Sequence, residues 1–391
     1  MAARATHPFL FRAAVSALAS LVLLGGAATG LLALSNELHS FGDAVETSDD
    51  VLWGPAFGQM DMAYKLERAA VVKPEVLVLG SSRANQFRAE MFPGARFYNA
   101  SGAAHSFDQA LEFLRALYAR HKPEAVILTV DPWWFQPGRE RDEAANGTRN
   151  PMVFDYRGLV ANLLDRATDP KFLATLGAAG LRASKDPIGG RRPLGYRAAR
   201  EGSGYRPDGS VQYGAILLDT DPYQRLNGYG WRDGFAYFRR AVEAADGRFR
   251  YTGQIDARAS ETLRAVIAFN RGFGIDTVIV LPPLAAELYR TVQAVPSQRD
   301  YFARLERETI RIGAEGGAEV HALHDLARLG VDDRQTIDGV HGDELAFLAL
   351  TRHLTRAGSI LARHIDAAAL ERLYQHMQDP ANRPHFNLIA R

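Results

Sequence analysis

Five short runs of strand-forming residues, interleaved with stretches of helical spacing, limit what this chain can fold into more than any other feature. They are Val76–Leu79, Arg96–Tyr98, Ala125–Val130, Thr277–Leu281 and Glu319–Leu323. Between the second and third, "SFDQALEFLRALYARH" (Ser106–His121) sets Phe107, Ala110, Leu111, Leu114 and Leu117 at helical intervals. Ser106 with Gln109 makes a capping-box pattern at its start, and Pro123 ends it. Further helices are expected at Ser260–Asn270, with a serine cap and closing glycines Gly272 and Gly274, at residues 298–312, and along Asp343–Ile365. Strand and helix in alternation predict an α/β fold: a three-layer, doubly wound, five-stranded parallel sheet with helices on both faces.

A second constraint lies at the N-terminus. Ala13–Ser35 is a run of 23 residues without a charge. As a helix it would span about 34 Å, enough to cross a bilayer. Arg4 and Arg12 precede it, and Glu37, Asp43, Glu46, Asp49 and Asp50 follow. The positive-inside rule then keeps residues 1–35 as a cytoplasmic N-terminus and signal-anchor helix, with the remaining chain extracytoplasmic, on the periplasmic side of the cytoplasmic membrane. The alternative is a cleaved signal peptide with Ala33-Leu34-Ser35 as the small-residue site. Residues 36–74 read as an acidic, weakly structured lead-in, and 75–391 as the main domain. Within that domain, 136–258 is a long insertion after the third strand, rich in Gly, Arg and Tyr ("RRPLGYRAAREGSGYRPDGSVQYG") and without clear periodicity.

Composition excludes several classes of function. Lys+Arg 46 against Asp+Glu 45 leaves a net charge of +1, so no global field argues for nucleic acid. The absence of cysteine rules out disulfides, cysteine-zinc sites and thiol catalysis. His321, His324 and Asp325 ("HALHD") superficially resemble metal ligands, but further ligands are wanting and no metal or cofactor is expected. "GYGWRDG" at Gly228–Gly234 has the wrong spacing for a dinucleotide loop and no strand before it. Asn99-Ala100-Ser101 and Asn146-Gly147-Thr148 are formal glycosylation sequons.

In an open doubly wound sheet, ligands bind beyond the carboxyl ends of the strands. The first strand is followed by Ser81, Ser82 and Arg83, the second by Asn99, Ser101 and Gly102, and the third by Asp131, Trp133 and Trp134. One loop past the fifth comes "TIDGVHGDE", with Asp338 and His341. A serine, a histidine and a carboxylate thus converge on one rim. A serine hydroxyl near its free pKa is a poor nucleophile and needs a base within reach. Imidazole supplies the base, and a carboxylate fixes its tautomer and stabilises the imidazolium that forms. Arg83, Asp131, Trp133 and Trp134 are candidate substrate contacts. For each a plainer role stands beside it: a helix cap for Arg83, a turn for Asp131, and buried aromatics under the insertion for the tryptophans.

Gly80-Ser81-Ser82-Arg83 and Asp338-Gly339-Val340-His341 resemble the SGNH (GDSL-type) hydrolase superfamily, which shares a flavodoxin-like sheet. The likeness is nearest to its membrane-anchored envelope proteins of teichoic-acid D-alanylation and of alginate and other exopolysaccharide O-acetylation. It covers the anchor and the sheet but not the insertion, where Asp208–Ser210 ("DGS") is a faint echo. The resemblance implies that Ser82 is the nucleophile, with Ser81 in place of the family's aspartate, that His341 is the general base and acid, and that Asp338 orients it. Ser81 is the alternative nucleophile. It implies an oxyanion hole from the Ser82 amide with Gly102 and Asn99 ("YNASG"), Ala104 being an alternative to the glycine. The family's third-block asparagine would fall near Thr129–Pro132, where there is none; losing one oxyanion donor typically costs about 10²–10³ in rate. The implied activity is acyltransferase or esterase chemistry on a cell-envelope glycan or teichoic-acid-like polymer, beside a multi-spanning membrane O-acyltransferase. The alternative is a non-catalytic accessory protein that binds the polymer or that acyltransferase.

Overall fold

The computed structural model describes residues 6–46, 50–56, 61–138, 152–166, 168, 170, 191–213, 234–251 and 253–379. The chain opens with helix α1 (Thr6–Leu34), α2 (Phe41–Glu46), strand β1 (Val51–Trp53) and α3 (Asp61–Val72). Next come β2 (Val76–Gly80), β3 (Phe97–Ser101), α4 (Phe107–Tyr118), β4 (Ala125–Thr129) and α5 (Tyr156–Arg166). A group of short elements follows: β5 (Arg192–Leu194), α6 (Tyr196–Glu201), β6 (Ser203–Tyr205), β7 (Val211–Tyr213) and α7 (Ala236–Glu243). The last part holds α8 (Ala257–Gly272), β8 (Asp276–Leu281), α9 (Ala286–Ala294), α10 (Pro296–Gly316), β9 (Glu319–Ala322), α11 (Glu344–Arg356) and α12 (Ala367–Gln378).

The main sheet is all parallel, in the order β3-β2-β4-β8-β9. Counted along the chain that order is 2-1-3-4-5, compatible with a flavodoxin-like fold. β2 is buried along its whole length, and its apolar run needs no polar alternation because both faces are covered. Leu77 and Leu79 enter the core under α3, α4, α8 and α10, while Val76 and Val78 pack on the opposite side with α11 and α12. Caps fix the helix starts. The Ser106 hydroxyl accepts from the Gln109 amide, and the Gln109 side chain reaches back to the amide of His105.

Three expectations are corrected. α8 begins at Ala257 under an Asp256 cap, one turn before the serine expected to cap it. The single helix expected over Asp343–Ile365 is broken: α11 ends at Arg356, Gly358 takes a positive φ, and α12 starts under an Asp366 cap. The lead-in is not weakly structured. β1 joins β5, β6 and β7 of the insertion in a second, four-stranded sheet ordered β5-β1-β6-β7, and Trp53, Tyr64 and Tyr196 fill a small core beside it. The second sequon and Gly228–Asp233 of "GYGWRDG" lie outside the described residues.

Two devices hold the small sheet in place. The loop between β6 and β7 lies along the free edge of β3, where the Asn99 amide donates to the Asp208 carbonyl at 2.7 Å. That covers an otherwise open sheet edge. Gly209 in this loop has φ +83°, and a Cβ there would stand 2.1 Å from the Asn99 carbonyl oxygen, so the approach requires glycine. At the other end, the Glu37 carboxylate accepts from the amides of Ala56 (2.6 Å) and Tyr196 (2.8 Å), just past the end of α1. α1 itself is long and apolar enough to cross a membrane.

Candidate active site

β2 ends at Gly80, where the sheet order reverses between β3 on one side and β4 on the other. Ser82 begins a single 3-10 turn there. The Ser81 hydroxyl accepts from the Arg83 amide at 3.1 Å and so caps this turn, buried. Ser82 points the other way: its Oγ lies 2.9 Å from Nε2 of His341. Of the two serines, only Ser82 meets the imidazole.

His341 is carried by a turn closed by the bridge between Thr336 and Gly342. Gly339 in that turn has φ +87°, a conformation glycine adopts without strain. Its reversal brings Asp338 back onto the imidazole: Oδ2 lies 2.8 Å from His341 Nδ1, and Oδ1 accepts the amides of Val340 (3.0 Å) and His341 (2.9 Å). Burial alone would raise the Asp338 carboxyl. The charge and ring of His341, with the two amides, outweigh it and hold the group below the usual carboxylate range. An ionised carboxylate only accepts, so Nδ1 carries a proton, and in the neutral form of the ring Nε2 offers its lone pair to Ser82.

Arg83 stands behind this pair. It is fully buried, and its guanidinium donates to the carbonyls of Val340 (3.0 Å), Pro282 (2.8 Å) and Pro283 (2.9 Å) and to Asp131 Oδ1 (3.3 Å). One side chain next to Ser82 thus ties the histidine turn to the ends of β4 and β8. Trp133 lies between two cations, its ring 5.6 Å from the Arg83 guanidinium and 5.2 Å from that of Arg248. Trp134 packs edge-on against Phe107 in the core. The substrate contacts expected of Arg83, Asp131, Trp133 and Trp134 are therefore corrected: all four are buried, Arg83 and Asp131 tying the loops of the rim together and the tryptophans packing beneath it.

The oxyanion-hole residues also differ from expectation. Asn99 is buried in β3, donating to the carbonyls of Ala84 and Phe87, both at 2.8 Å, and accepting from the Ser101 amide. It anchors the loop that bears Ser82 and presents no donor to a substrate. The Gly102 amide donates to the Gly80 carbonyl at 2.8 Å, and Ala104 shares that acceptor at 3.3 Å. Among the described residues nothing accepts from the Ser82 amide, which leaves it available.

Ser82 opens into a cavity of about 170 Å³ whose other walls include Trp53, Asp61, Gly102, Tyr205 and Tyr213. The sequence reading missed these walls apart from Gly102. They come from the lead-in and the insertion, whose strands are three residues long. The "RPDGS" turn between two tyrosine-bearing runs was the available hairpin signal. Burial pushes the Tyr213 hydroxyl up to about 12, and it accepts from Asn85, so it serves as a neutral hydrogen-bonding wall. His321 pairs with Glu319 and His324 stacks on Tyr289, both away from this cavity. Among the described residues there is no cluster of three or more potential metal ligands.

Fold and site together define an α/β protein with a serine, histidine and aspartate in hydrogen-bonded series at the mouth of a parallel sheet. Comparisons with family models, with curated proteins and with solved structures find no match to this chain. Its chemistry rests on its own geometry.

Proposed function

We propose that the chain is a membrane-anchored, serine-dependent acyl-transfer enzyme of the SGNH type, acting on ester groups of an extracytoplasmic envelope polysaccharide. The observation that carries this reading is the series Ser82 Oγ–His341 Nε2 at 2.9 Å and His341 Nδ1–Asp338 Oδ2 at 2.8 Å, open to a cavity. Ser82 Oγ attacks the ester carbonyl carbon as its proton passes to His341 Nε2. The C–O bond to the leaving alkoxide then breaks, and that alkoxide takes the proton from His341. The acyl-serine is resolved by a second hydroxyl, deprotonated by His341, whose oxygen bonds the carbonyl carbon and frees Ser82. A glycan hydroxyl makes the reaction a transfer, and water makes it hydrolysis.

The cavity volume suits a short acyl group such as acetyl, and its tyrosine and tryptophan walls suit a sugar face. The apolar α1 supports a membrane location. The charge bias around it supports an extracytoplasmic domain, beside a multi-spanning O-acyltransferase that would deliver the acyl group. A fluorophosphonate should label the wild type and leave Ser82→Ala unlabelled; equal labelling of both overturns the assignment. Purified protein given an acetyl ester with and without a glycan acceptor separates the two activities, since release of acetate alone identifies an esterase.

A second reading is favoured by one observation: the Gly102 amide is taken by Gly80, so the oxyanion hole is thinner than the family's. On that reading the protein is an accessory that holds polymer or acyltransferase at the same rim. Restoration of envelope modification by both Ser82→Ala and His341→Ala in a deletion strain would establish it.

A further inference from the structure

A tetrahedral intermediate on Ser82 needs more than one donor, and the residues expected to supply them are committed elsewhere. Gly102 gives its amide to Gly80, Asn99 gives its side chain to two loop carbonyls, and β4 ends without an asparagine. On the glycine side of the cavity stands a group the reaction above does not use. Asp61 is the first residue of α3 and lines the same cavity as Ser82. Its Oδ2 lies 2.8 Å from where a Cβ on Gly102 would stand, which puts the carboxyl directly over that residue. Its Oδ1 is sealed from solvent and has no hydrogen-bond partner.

We infer that Asp61, as a neutral carboxylic acid, is the second oxyanion donor, its hydroxyl reaching the substrate carbonyl oxygen alongside the Ser82 amide. The inference rests on the acyl-transfer reading and deepens it. A carboxylate in this place would repel the developing oxyanion. A carboxylic acid held neutral by a desolvated site donates as a hydroxyl does. The titratable and charged groups around it are Lys65 on its own helix, Arg197 on α6, Tyr205 and Tyr213 on the small sheet, and His341 beyond Ser82. Neither cation neutralises Asp61 by contact. Lys65 Nζ donates to the carbonyls of Asn99 and Gly209, and Arg197 is engaged with Ser203 and Glu201. Burial raises the Asp61 carboxyl, with Lys65 and Arg197 opposing, and the net direction is upward, toward the protonated form.

The test uses the full-length chain in detergent with an aryl acetate, comparing wild type, Asp61→Ala, Asp61→Asn and Ser82→Ala. The asparagine keeps a donor in place and cannot ionise. Asp61→Ala is expected to lose about 10²–10³ in kcat with little change in KM. Asp61→Asn is expected to stay within tenfold of wild type. The wild type should lose kcat as pH rises through the Asp61 ionisation, because the donor is lost, whereas Asp61→Asn should lack that alkaline limb. Asp61→Ala with wild-type kcat overturns the inference, and so does an Asp61→Asn profile that keeps the limb. If Asp61→Ala does not fold, Asp61→Asn alone decides on the same criteria. A wild type no faster than Ser82→Ala overturns the acyl-transfer reading itself, and the Asp61 role falls with it. An active wild type with indifferent Asp61 variants removes only the latter.

Discussion

Asp338 shows what a single side chain contributes that its neighbours cannot. Both of its oxygens are used, one on the imidazole and one on two amides, so its ionised state and the His341 tautomer are set together. Asp338→Asn keeps the shape but can present an N–H to Nδ1, favouring the wrong tautomer; kcat should fall by about 10⁴, measured on an aryl acetate, while the protein stays folded. The residue identities of this relay were legible in the sequence because strand ends in a doubly wound sheet are few and each offers few polar groups. The choice between Ser81 and Ser82 was not legible. It depends on which hydroxyl the 3-10 turn spends on its own backbone, and adjacent serines carry no mark of that. Arg83 misled for a related reason: an arginine beside a nucleophile reads as a substrate contact, and only the fold reveals three buried carbonyls waiting for it.

The same lesson holds for whole segments. The central strands β2, β4 and β8 were readable because they are buried on both faces and therefore almost continuously apolar. β1, β5, β6 and β7 are too short to express a period, and β1 pairs with residues about 140 positions away. The Asp338–His341 turn depends on Gly339, whose φ of +87° costs another residue about 1–3 kcal/mol, and whose added Cβ would stand 3.0 Å from the Phe235 ring. Gly339→Ala should lower both the urea midpoint and kcat, because relaxing the strain moves His341. Asp131→Ala leaves the buried Arg83 without its only carboxylate among the described residues. A loss of about 3–5 kcal/mol in unfolding free energy is expected, with activity falling as the strand-end loops part.

At the scale of the molecule, half-buried carboxylates held by cations and hydrogen bonds set the response to acid. Burial alone would raise Asp208 and Asp338, but Arg88 and Ser210 around the first, and His341 around the second, hold both below the usual range. Groups with depressed folded-state values add stability that is present above the ordinary carboxylate range and lost as pH falls through the folded values. The melting temperature should therefore drop below about pH 4, and Asp208→Asn should flatten that dependence. Truncation tests the partition of the chain. Removing residues 1–34 should leave ester hydrolysis intact, whereas removing 1–74 takes away β1, Asp61 and Lys65 and should abolish it.

The pinning of Glu37 to Ala56 and Tyr196 carries a consequence for where such a protein can work. Only a few residues separate the long apolar helix from the body: α1 ends at Leu34, and Glu37 is already held by the amides of Ala56 and Tyr196 beside the small sheet. Inserted in a bilayer, the helix would act as a mast, fixing the altitude and tilt of the opening over the lipid. Its catch is then restricted to whatever drifts through a thin stratum at the surface, and lengthening the join by a few residues would change which molecules it meets without altering one atom of its machinery.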